Sequence, residues 1–490
     1  MLNKAEPLIF EQSSPGHKGF FLPELSVPKV KKEDVLPKGM VREESADLPE
    51  VSEIEVVRHF THLSSMNFGV DTGFYPLGSC TMKYNPKLNE NTCRLGGFNW
   101  MHPYQPEYTM QGAIQLMYEL QKLIAQLTGM DSVTLQPAAG AHGELAGIKV
   151  IRAYHEKNGD FKRNKVIVPD SAHGTNPATA VMAGYEIVEI KSGPEGDVDL
   201  DALREAVGDD TAALMLTNPS TLGLFERNIK EITKIVHDAG GQIYYDGANA
   251  NAIMGITRPG DMGFDVVHLN VHKTLSTPHG GGGPGAGPIG VKAHLAEFLP
   301  VPIAEYDSEK KEYFLQYDIP HTIGRMKMFY GNFSVLVRTY TYMRALGGEG
   351  LKMSSQYAVL NANYLKKLCG EHLHVEAKDR FAMHEFIMTP SNIAQTGIHT
   401  LDFAKRMIDY GYHPPTIYFP LIVAEAMMVE PTETETKGTL EGFADVVGKI
   451  VAEARANASI VTSAPHMTRI KRLDEVKAAR EPNLRYRKPQ

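Results

Sequence analysis

"VVHLNVHKTLSTPHGGGGPGAGPIGV", residues 266–291, begins as an apolar run with the alternation of a β-strand. It closes on one cation, Lys273, and the segment that follows is nearly stripped of side chains. Two readings compete. The glycines let a backbone approach a cofactor phosphate, or the lysine is itself the chemistry. Gly285, Gly287 and Gly290 formally satisfy GxGxxG, but Pro288 lies inside the motif and "VKAHL" after it does not open a dinucleotide-binding unit. His268 and His272 have HxxxH spacing on a strand-like stretch without carboxylate or cysteine ligands nearby in sequence, so no metal is expected.

Further runs of the same kind precede this one. "KVIVPD" (165–170), "AALMLTNPS" (212–220) and "GQIYYDG" (241–247) are short apolar segments ending in polar or turn residues. Between them lie helical patterns such as "DLDALREAVGDD" (199–210) and "RNIKEITKIVHDAGG" (227–241). "MQGAIQLMYELQKLIAQLTGM" (110–130) reads as an amphipathic helix closed by Gly129. This alternation predicts an α/β fold, a mostly parallel sheet covered by helices with ligands at the carboxyl ends of its strands. A long helix, "YGNFSVLVRTYTYMRALGGEGL" (330–351), leads out of that layer, and the rest reads as a smaller α+β domain. The expected divisions are an extended arm over 1–65, a large domain over 66–335 and a small one over 336–490. In the arm, "FFLPELSVPKVKKEDVLPKGMVREESADLPEVSE" (20–53) alternates prolines with charges, which also suits disorder, but Phe20, Phe21, Leu25 and Val27 favour docking on another surface.

Three polar groups close three strands: His173 after "VIVPDSA", Asp246 after "GQIYY" and Lys273. In a parallel sheet they share one edge, where a single flat ligand touches all three. Together they suit pyridoxal phosphate. The amine condenses with its aldehyde, the aspartate keeps the pyridine nitrogen protonated, and the imidazole stacks on the ring. The small residues from Ala138 to Gly143 open a helix whose bare N–H groups suit a phosphate. Singly, each group also has an ordinary structural reading: a solvated lysine, an Asp-Gly turn, a loop-capping histidine.

The bulk numbers exclude several classes. A length of 490 residues allows two or three domains, and 42% hydrophobic with 22% charged residues is ordinary for a globular protein. A formal charge of −8 carries no basic footprint, so neither nucleic acid nor an anionic membrane is expected as a partner. The start lacks signal- and transit-peptide features, and no stretch is apolar enough to span a bilayer. Three cysteines, Cys80, Cys93 and Cys369, are too few and scattered for a disulfide framework. A reducing, cytoplasmic setting is expected.

The stretches "YYDGANANAIMG" and "HLNVHKTLSTPHGGGGPGAGPIGV", with "YPLGSCTMKYNP", "PAAGAHGELAG", "SAHGTNPATA", "IGRMKMFYGNF" and "MVEPTETETK", together resemble the P-protein family of the glycine cleavage system. The resemblance covers nearly the whole chain. It implies the aspartate-aminotransferase-like fold type I of pyridoxal-phosphate enzymes, with a mostly parallel seven-stranded sheet. It implies decarboxylation of glycine and transfer of the aminomethyl group to the lipoyl arm of H-protein. Single-chain members join two homologous halves. This chain has the lysine-bearing half, so it resembles subunit 2 of the two-subunit form, and subunit 1 is the expected partner in an α2β2 assembly.

Carried over by motif, Lys273 is the Schiff-base lysine, Asp246 the partner of the pyridine nitrogen and His173 the ring-stacking histidine. Ala248 packs on the opposite ring face, Ala139, Gly140 and Ala141 donate to the phosphate, and Thr322 is a weaker phosphate candidate. Ser79 or Thr81 would hold the glycine carboxylate, and His102 is a pocket-lining candidate. Cys80 is a candidate redox-sensitive thiol, weighed against an ordinary cysteine. "HPPT" (413–416) and "EPTET" (430–434) could face the site from the small domain, although Glu430 and Glu433 read better as helix caps. Lys273 or a nearby histidine handles protons. The competing readings are another fold-type-I enzyme or a non-catalytic scaffold. Cys369 sits in a helix rather than the flexible loop a desulfurase needs, while Arg325 leaves an aminotransferase open.

Overall fold

A computed structural model describes residues 6–44, 46–278 and 283–485. They fall into two compact units, one of residues 70–464 and one that combines residues up to 69 with those from 465 onward.

In the larger unit, seven strands form one sheet: β1 Ser132–Thr134, β2 Lys165–Pro169, β3 Glu186–Ile190, β4 Thr211–Thr217, β5 Gln242–Gly247, β6 Val266–Leu269 and β7 Ile289–Val291. Their spatial order is β1-β7-β6-β5-β4-β2-β3. The pairs from β3 to β6 are parallel, whereas β7 runs antiparallel to β6 and β1. The two-residue period of each strand sorts side chains onto two faces. Ile167, Leu214, Leu216, Ile243, Tyr245 and Val267 join one core, where Leu120 and Ile124 of the helix Gln111–Thr128 cover them. Val166, Val168, Ala213, Met215, Tyr244 and Val266 join the other, covered by Ile148 and Ile151 of the helix Gly140–Lys157. Leu120 and Ile124 are almost fully buried, each stabilising the fold by about 1.5–3 kcal/mol over an exposed position. With both faces covered, the central strands β4 and β6 are almost wholly apolar, whereas the edge strand β3 exposes Glu186 and Glu189.

The long helix spans Phe333–Cys369 and is interrupted at Gly347, whose φ of 63° and ψ of −177° leave helical space. Before the break it presents Tyr342 and Met343 to the first core, and after it Leu365 and Cys369 to a separate one. That second core lies on a four-stranded antiparallel sheet whose strands lie in the order 374–375, 386–389, 427–429 and 416–417. A hairpin, β8 Ile303–Asp307 and β9 Glu312–Gln316, precedes it in sequence. Its own strands are β10 His374–Val375, β11 Phe386–Thr389, β12 Thr416–Ile417 and β13 Met427–Val429. Phe403, Phe443 and Val447 fill the space under it.

The unit containing the chain start is less extended than its sequence reading, with short helical turns at Ile9–Gln12 and Lys32–Val35 and one longer helix. Residues Glu53–Ser65 are an α-helix rather than extended chain, because Ser52 and Glu55 form a capping box that starts it. Phe20, Phe21, Leu25 and Val27 are exposed. Among the described residues no helix is long and apolar enough to cross a membrane.

Candidate active site

The parallel strands β2, β4, β5 and β6 bring several loops to the carboxyl edge of the large sheet. Asp246 is the penultimate residue of β5, fully enclosed at 1% exposure. Lys273 follows β6 in the short turn Val271–Thr274 and is half-buried. His173 lies just beyond β2, also half-buried. The shared edge expected from sequence is present.

Asp246 accepts hydrogen bonds from Asn176 Nδ2 at 2.8 Å and from the Ala248 N–H at 2.9 Å. His268 Nε2 lies 3.4 Å from the same carboxylate, and its Nδ1 lies 2.7 Å from the Tyr244 hydroxyl. Burial pushes the Asp246 carboxyl up, but His268, Asn176, Ala248 and His173 together hold it below the ordinary carboxylate range. It stays an anion in a dry place, as a partner for a protonated ring nitrogen must.

The helix Gly140–Lys157 starts at the same edge. Its N-terminal turn, Ala139, Gly140 and Ala141, presents backbone N–H groups and a positive dipole end. Both alanines are exposed, so the mouth of this turn is open. Glycine is needed behind it: a Cβ on Gly287 would stand 2.1 Å from the Ala139 carbonyl oxygen. The Gly287 N–H also donates to Pro137 O at 2.9 Å. The glycines after Lys273 thus let one backbone lie against another behind the cradle. Part of the same glycine run, Gly280, Gly281 and Gly282, lies outside the described residues.

Glu144, on that same helix, ties the constellation together. It is 3% exposed and accepts from Thr175 Oγ1 at 2.7 Å and from Asn176 Nδ2 at 3.1 Å. Thr175 Oγ1 lies 2.9 Å from His173 Nδ1, while Asn176 bridges onward to Asp246. The cradle helix, the stacking candidate and the buried aspartate are therefore one hydrogen-bonded unit. On the other side of the cradle, a Cβ on Gly140 would meet the side chain of Asn270, the residue that starts the Lys273 turn. Open helix-start donors, a buried anion, a planar imidazole and a primary amine are the donor set pyridoxal phosphate requires, so these residues fit it.

Over the lysine sits a second layer. Lys273 Nζ donates to the Ser79 carbonyl at 2.7 Å. Ser79 and Thr81 both have positive φ, 66° and 51°, an uncommon backbone state for residues other than glycine. Carboxylates hold them there: the Ser79 N–H donates to Glu385 Oε2 at 2.8 Å and the Thr81 N–H to Glu430 Oε2 at 2.9 Å. Both N–H groups are thereby committed to glutamates, and the Thr81 hydroxyl accepts from Asn249. Gly78, just before, packs directly on β13, where a Cβ would come within 2.3 Å of the Met428 side chain.

Similarity to known proteins agrees with this geometry. The family described as "Glycine cleavage system P-protein" matches residues 26–317, and "Glycine dehydrogenase, C-terminal domain" matches residues 354–468. The "Probable glycine dehydrogenase (decarboxylating) subunit 2" of Caldanaerobacter subterraneus subsp. tengcongensis is 60% identical, with 100% of each chain covered. A protein of that name in Listeria monocytogenes is 58% identical over 99% of both. The chain belongs to the glycine cleavage system P-protein family. Among solved structures, a glycine decarboxylase P-protein in inhibitor-bound form aligns with a TM-score of 0.72 at 20% identity, covering 86% of this chain and 95% of that one. A cysteine desulfurase from Thermococcus onnurineus aligns at 0.60 and 15% identity over 78% and 95%. Both share its fold.

Other residues of this P-protein chain sit differently from their sequence readings. Glu430 and Glu433 cap no helix; the next one, Lys437–Ala456, takes its cap from Thr436. Glu433 instead pairs with Lys83 at 2.8 Å, and that lysine also donates to Asn251 and Tyr342. The Thr322 hydroxyl donates to Leu299 O and accepts from the Gly324 N–H within its own loop. His102 is exposed among Tyr104 and Phe329. No described contact joins either residue to Lys273, Asp246 or His173. Burial pushes the Cys80 thiol up, Glu430 and Glu385 act in the same direction and Lys273 opposes them, so it lacks the low-pKa thiolate of a redox sensor. Cys369 does lie in a helix as read from sequence, Phe333–Cys369, and is buried in the small-domain core. His272 turns to Ala286 while His268 turns to Tyr244. Glu144, Asn176, His268 and Glu385 were not anticipated. Glu144 and Asn176 lie inside the quoted motifs "PAAGAHGELAG" and "SAHGTNPATA", so a signal existed for them.

Proposed function

We propose that Lys273 is the amine that holds pyridoxal phosphate in this chain and that Asp246, His173 and the Ala139–Ala141 turn hold the rest of it. The chain is a pyridoxal-phosphate-dependent glycine decarboxylase of the glycine cleavage system, and the alternative readings are not favoured. The observation that carries the residue assignment is the single hydrogen-bonded unit linking the cradle helix, through Glu144 and Asn176, to a buried anionic Asp246 beside the lysine turn. When bound, pyridoxal phosphate supplies an electron-accepting ring for the electron pair freed as carbon dioxide leaves glycine.

The residues have distinct tasks. Asp246 keeps a proton on the ring nitrogen by remaining charged under burial. His173, oriented by Thr175, and Ala248, whose N–H is fixed on Asp246, bound the two ring faces. The N–H groups of Ala139, Gly140 and Ala141 neutralise the phosphate. Lys273 presents its amine from the Val271–Thr274 turn, where its Nζ donates to the Ser79 carbonyl, and it moves protons at the reacting carbon. Ser79, through its hydroxyl, is the stronger remaining candidate for the glycine carboxylate, since its N–H and that of Thr81 are committed elsewhere.

The name "subunit 2" carried by relatives supports a two-subunit P-protein, with subunit 1 as partner in an α2β2 assembly and lipoylated H-protein as acceptor of the aminomethyl group. A cytoplasmic location follows from the same reading. The test is exchange of labelled bicarbonate into the glycine carboxyl group by the chain reconstituted with subunit 1, cofactor and lipoylated H-protein. The wild type exchanges label and Lys273→Ala does not. Exchange that persists in Lys273→Ala overturns the assignment of the lysine, and no exchange by a fully assembled, cofactor-loaded wild type overturns the substrate.

A further inference from the structure

In the register of the small sheet, Phe386 of β11 lies opposite Val429 of β13. The next outward positions are Glu385 and Glu430, so the two strands end in facing carboxyl groups. They are 4% and 0% exposed, and their oxygens, with a ring nitrogen of His384, lie within 4.8 Å of one another. Two carboxylates so close in a dry site do not both ionise. Burial first and Glu430 second push Glu385 up to about 8. Burial likewise raises Glu430, against hydrogen bonds from Thr81 and Asn249 and the charge of Lys273. Glu385 is thus the member that holds a proton at neutral pH, and Glu430, which accepts from the Thr81 N–H and the Asn249 amide, is the member those donors favour as the anion.

The groups around it leave one cation to match that charge. His384 is 2% exposed, and neither ring nitrogen has a hydrogen-bond partner among the described residues. Burial, helped by Lys273, pushes it down to about 3, so it is neutral. Cys80 remains a thiol and Tyr75 a phenol, both raised first by burial. Lys273 is the remaining charged group acting on the pair, and it already donates to the Ser79 carbonyl. That carbonyl is aimed by a turn whose two left-handed residues each give their N–H to one member of the pair.

We propose that Glu385, Glu430 and the Ser79 carbonyl form a berth that receives the Lys273 ammonium whenever the lysine is not bonded to the cofactor. Glu385 and Glu430 are positioning residues: they bend the turn that offers the carbonyl, and their shared negative charge, rather than solvent, favours the charged amine. The glycine ammonium brings the proton that the lysine carries into the berth, so no other donor is needed. This inference rests on Lys273 being the cofactor lysine, which borohydride reduction of the loaded protein tests separately by linking cofactor to the Lys273 peptide.

The berth is tested on the full-length chain stripped of cofactor, by acylation with trace acetic anhydride across alkaline pH and mass spectrometry of the Lys273 peptide. Lys292, which donates to the Gly129 carbonyl, is the internal reference. Above about pH 8 the wild-type pair has lost its shared proton, so Glu385→Gln removes one of two charges and the Lys273 profile moves part of the way toward that of the double variant. In the Glu385→Gln/Glu430→Gln double variant the charge is gone. The Lys273 midpoint then moves down by about one pH unit, giving roughly tenfold faster labelling below the midpoint. A site that has merely loosened would label faster at every pH without moving the midpoint. Equal midpoints in wild type and double variant overturn the proposal. Should the double variant not fold, the wild type decides by infrared spectroscopy. A protonated-carboxyl band at pH 7 that fades through about pH 8 and is altered in Glu385→Gln supports the berth, and its absence overturns it.

Discussion

Replacing Asp246 by Asn removes one charge and almost no volume, which makes its consequences calculable from the site. Asp246 is an acceptor only, facing the Asn176 amide on one oxygen and the Ala248 N–H, with His268 Nε2 at 3.4 Å, on the other. An amide has one acceptor and one donor end. In either orientation one of those donors then meets an NH₂ group, and a hydrogen bond to a charged acceptor, about 1.5–3 kcal/mol, is lost. The larger loss falls on the loaded site. The protonated ring nitrogen would face no anion, and removing one partner of a buried charge pair costs about 3–5 kcal/mol. At 1.36 kcal/mol per factor of ten, bicarbonate exchange should fall by two to nearly four orders of magnitude. Exchange is measured on the reconstituted complex at saturating cofactor, with bound cofactor quantified spectroscopically so that weak loading is not mistaken for slow chemistry. Wild-type exchange by a fully loaded Asp246→Asn chain would refute the assignment of Asp246 to the ring nitrogen.

Other perturbations follow from the same contacts. Gly287→Ala puts a methyl group 2.1 Å from the Ala139 carbonyl, so the cradle must shift and cofactor affinity should fall at least tenfold by equilibrium titration. Lys83→Met leaves Glu433 buried without its cation and should lower stability by about 3–5 kcal/mol, read as an earlier urea midpoint. The carboxyl of Glu385 is raised in the fold, so the native state binds its proton more tightly than the unfolded chain does. Its contribution is therefore present at low pH and declines as pH rises from about 4.5 to about 8, and Glu385→Gln should flatten the melting temperature over that window. Glu433 has the opposite sign: Lys83 holds it down against burial, so its contribution is present above about pH 4.5 and is lost as acid titrates the pair.

The sequence by itself determined the layers and the edge. Strand alternation and helical period are local, and their punctuation by Asp246, Lys273 and the small residues at Ala139–Ala141 is readable because strand ends in a parallel sheet necessarily share one side. Thus the sheet and the placement of the lysine, aspartate and histidine at one edge of it were legible, and the family motifs added the reaction. Tertiary structure alone decided what surrounds them. Glu385 and Glu430 meet because the antiparallel register sets Phe386 opposite Val429, and nothing near either glutamate in the chain signals that pairing. Glu430 looks like a helix cap until β13 places it against the Ser79–Thr81 turn. His102 and Thr322, plausible by motif, are drawn off by an exposed aromatic cluster and by a carbonyl in their own surroundings. Chemical type and period are properties of neighbours along the chain. Register, burial and the charge a buried group keeps are set by residues hundreds of positions away, and only the folded chain brings them together.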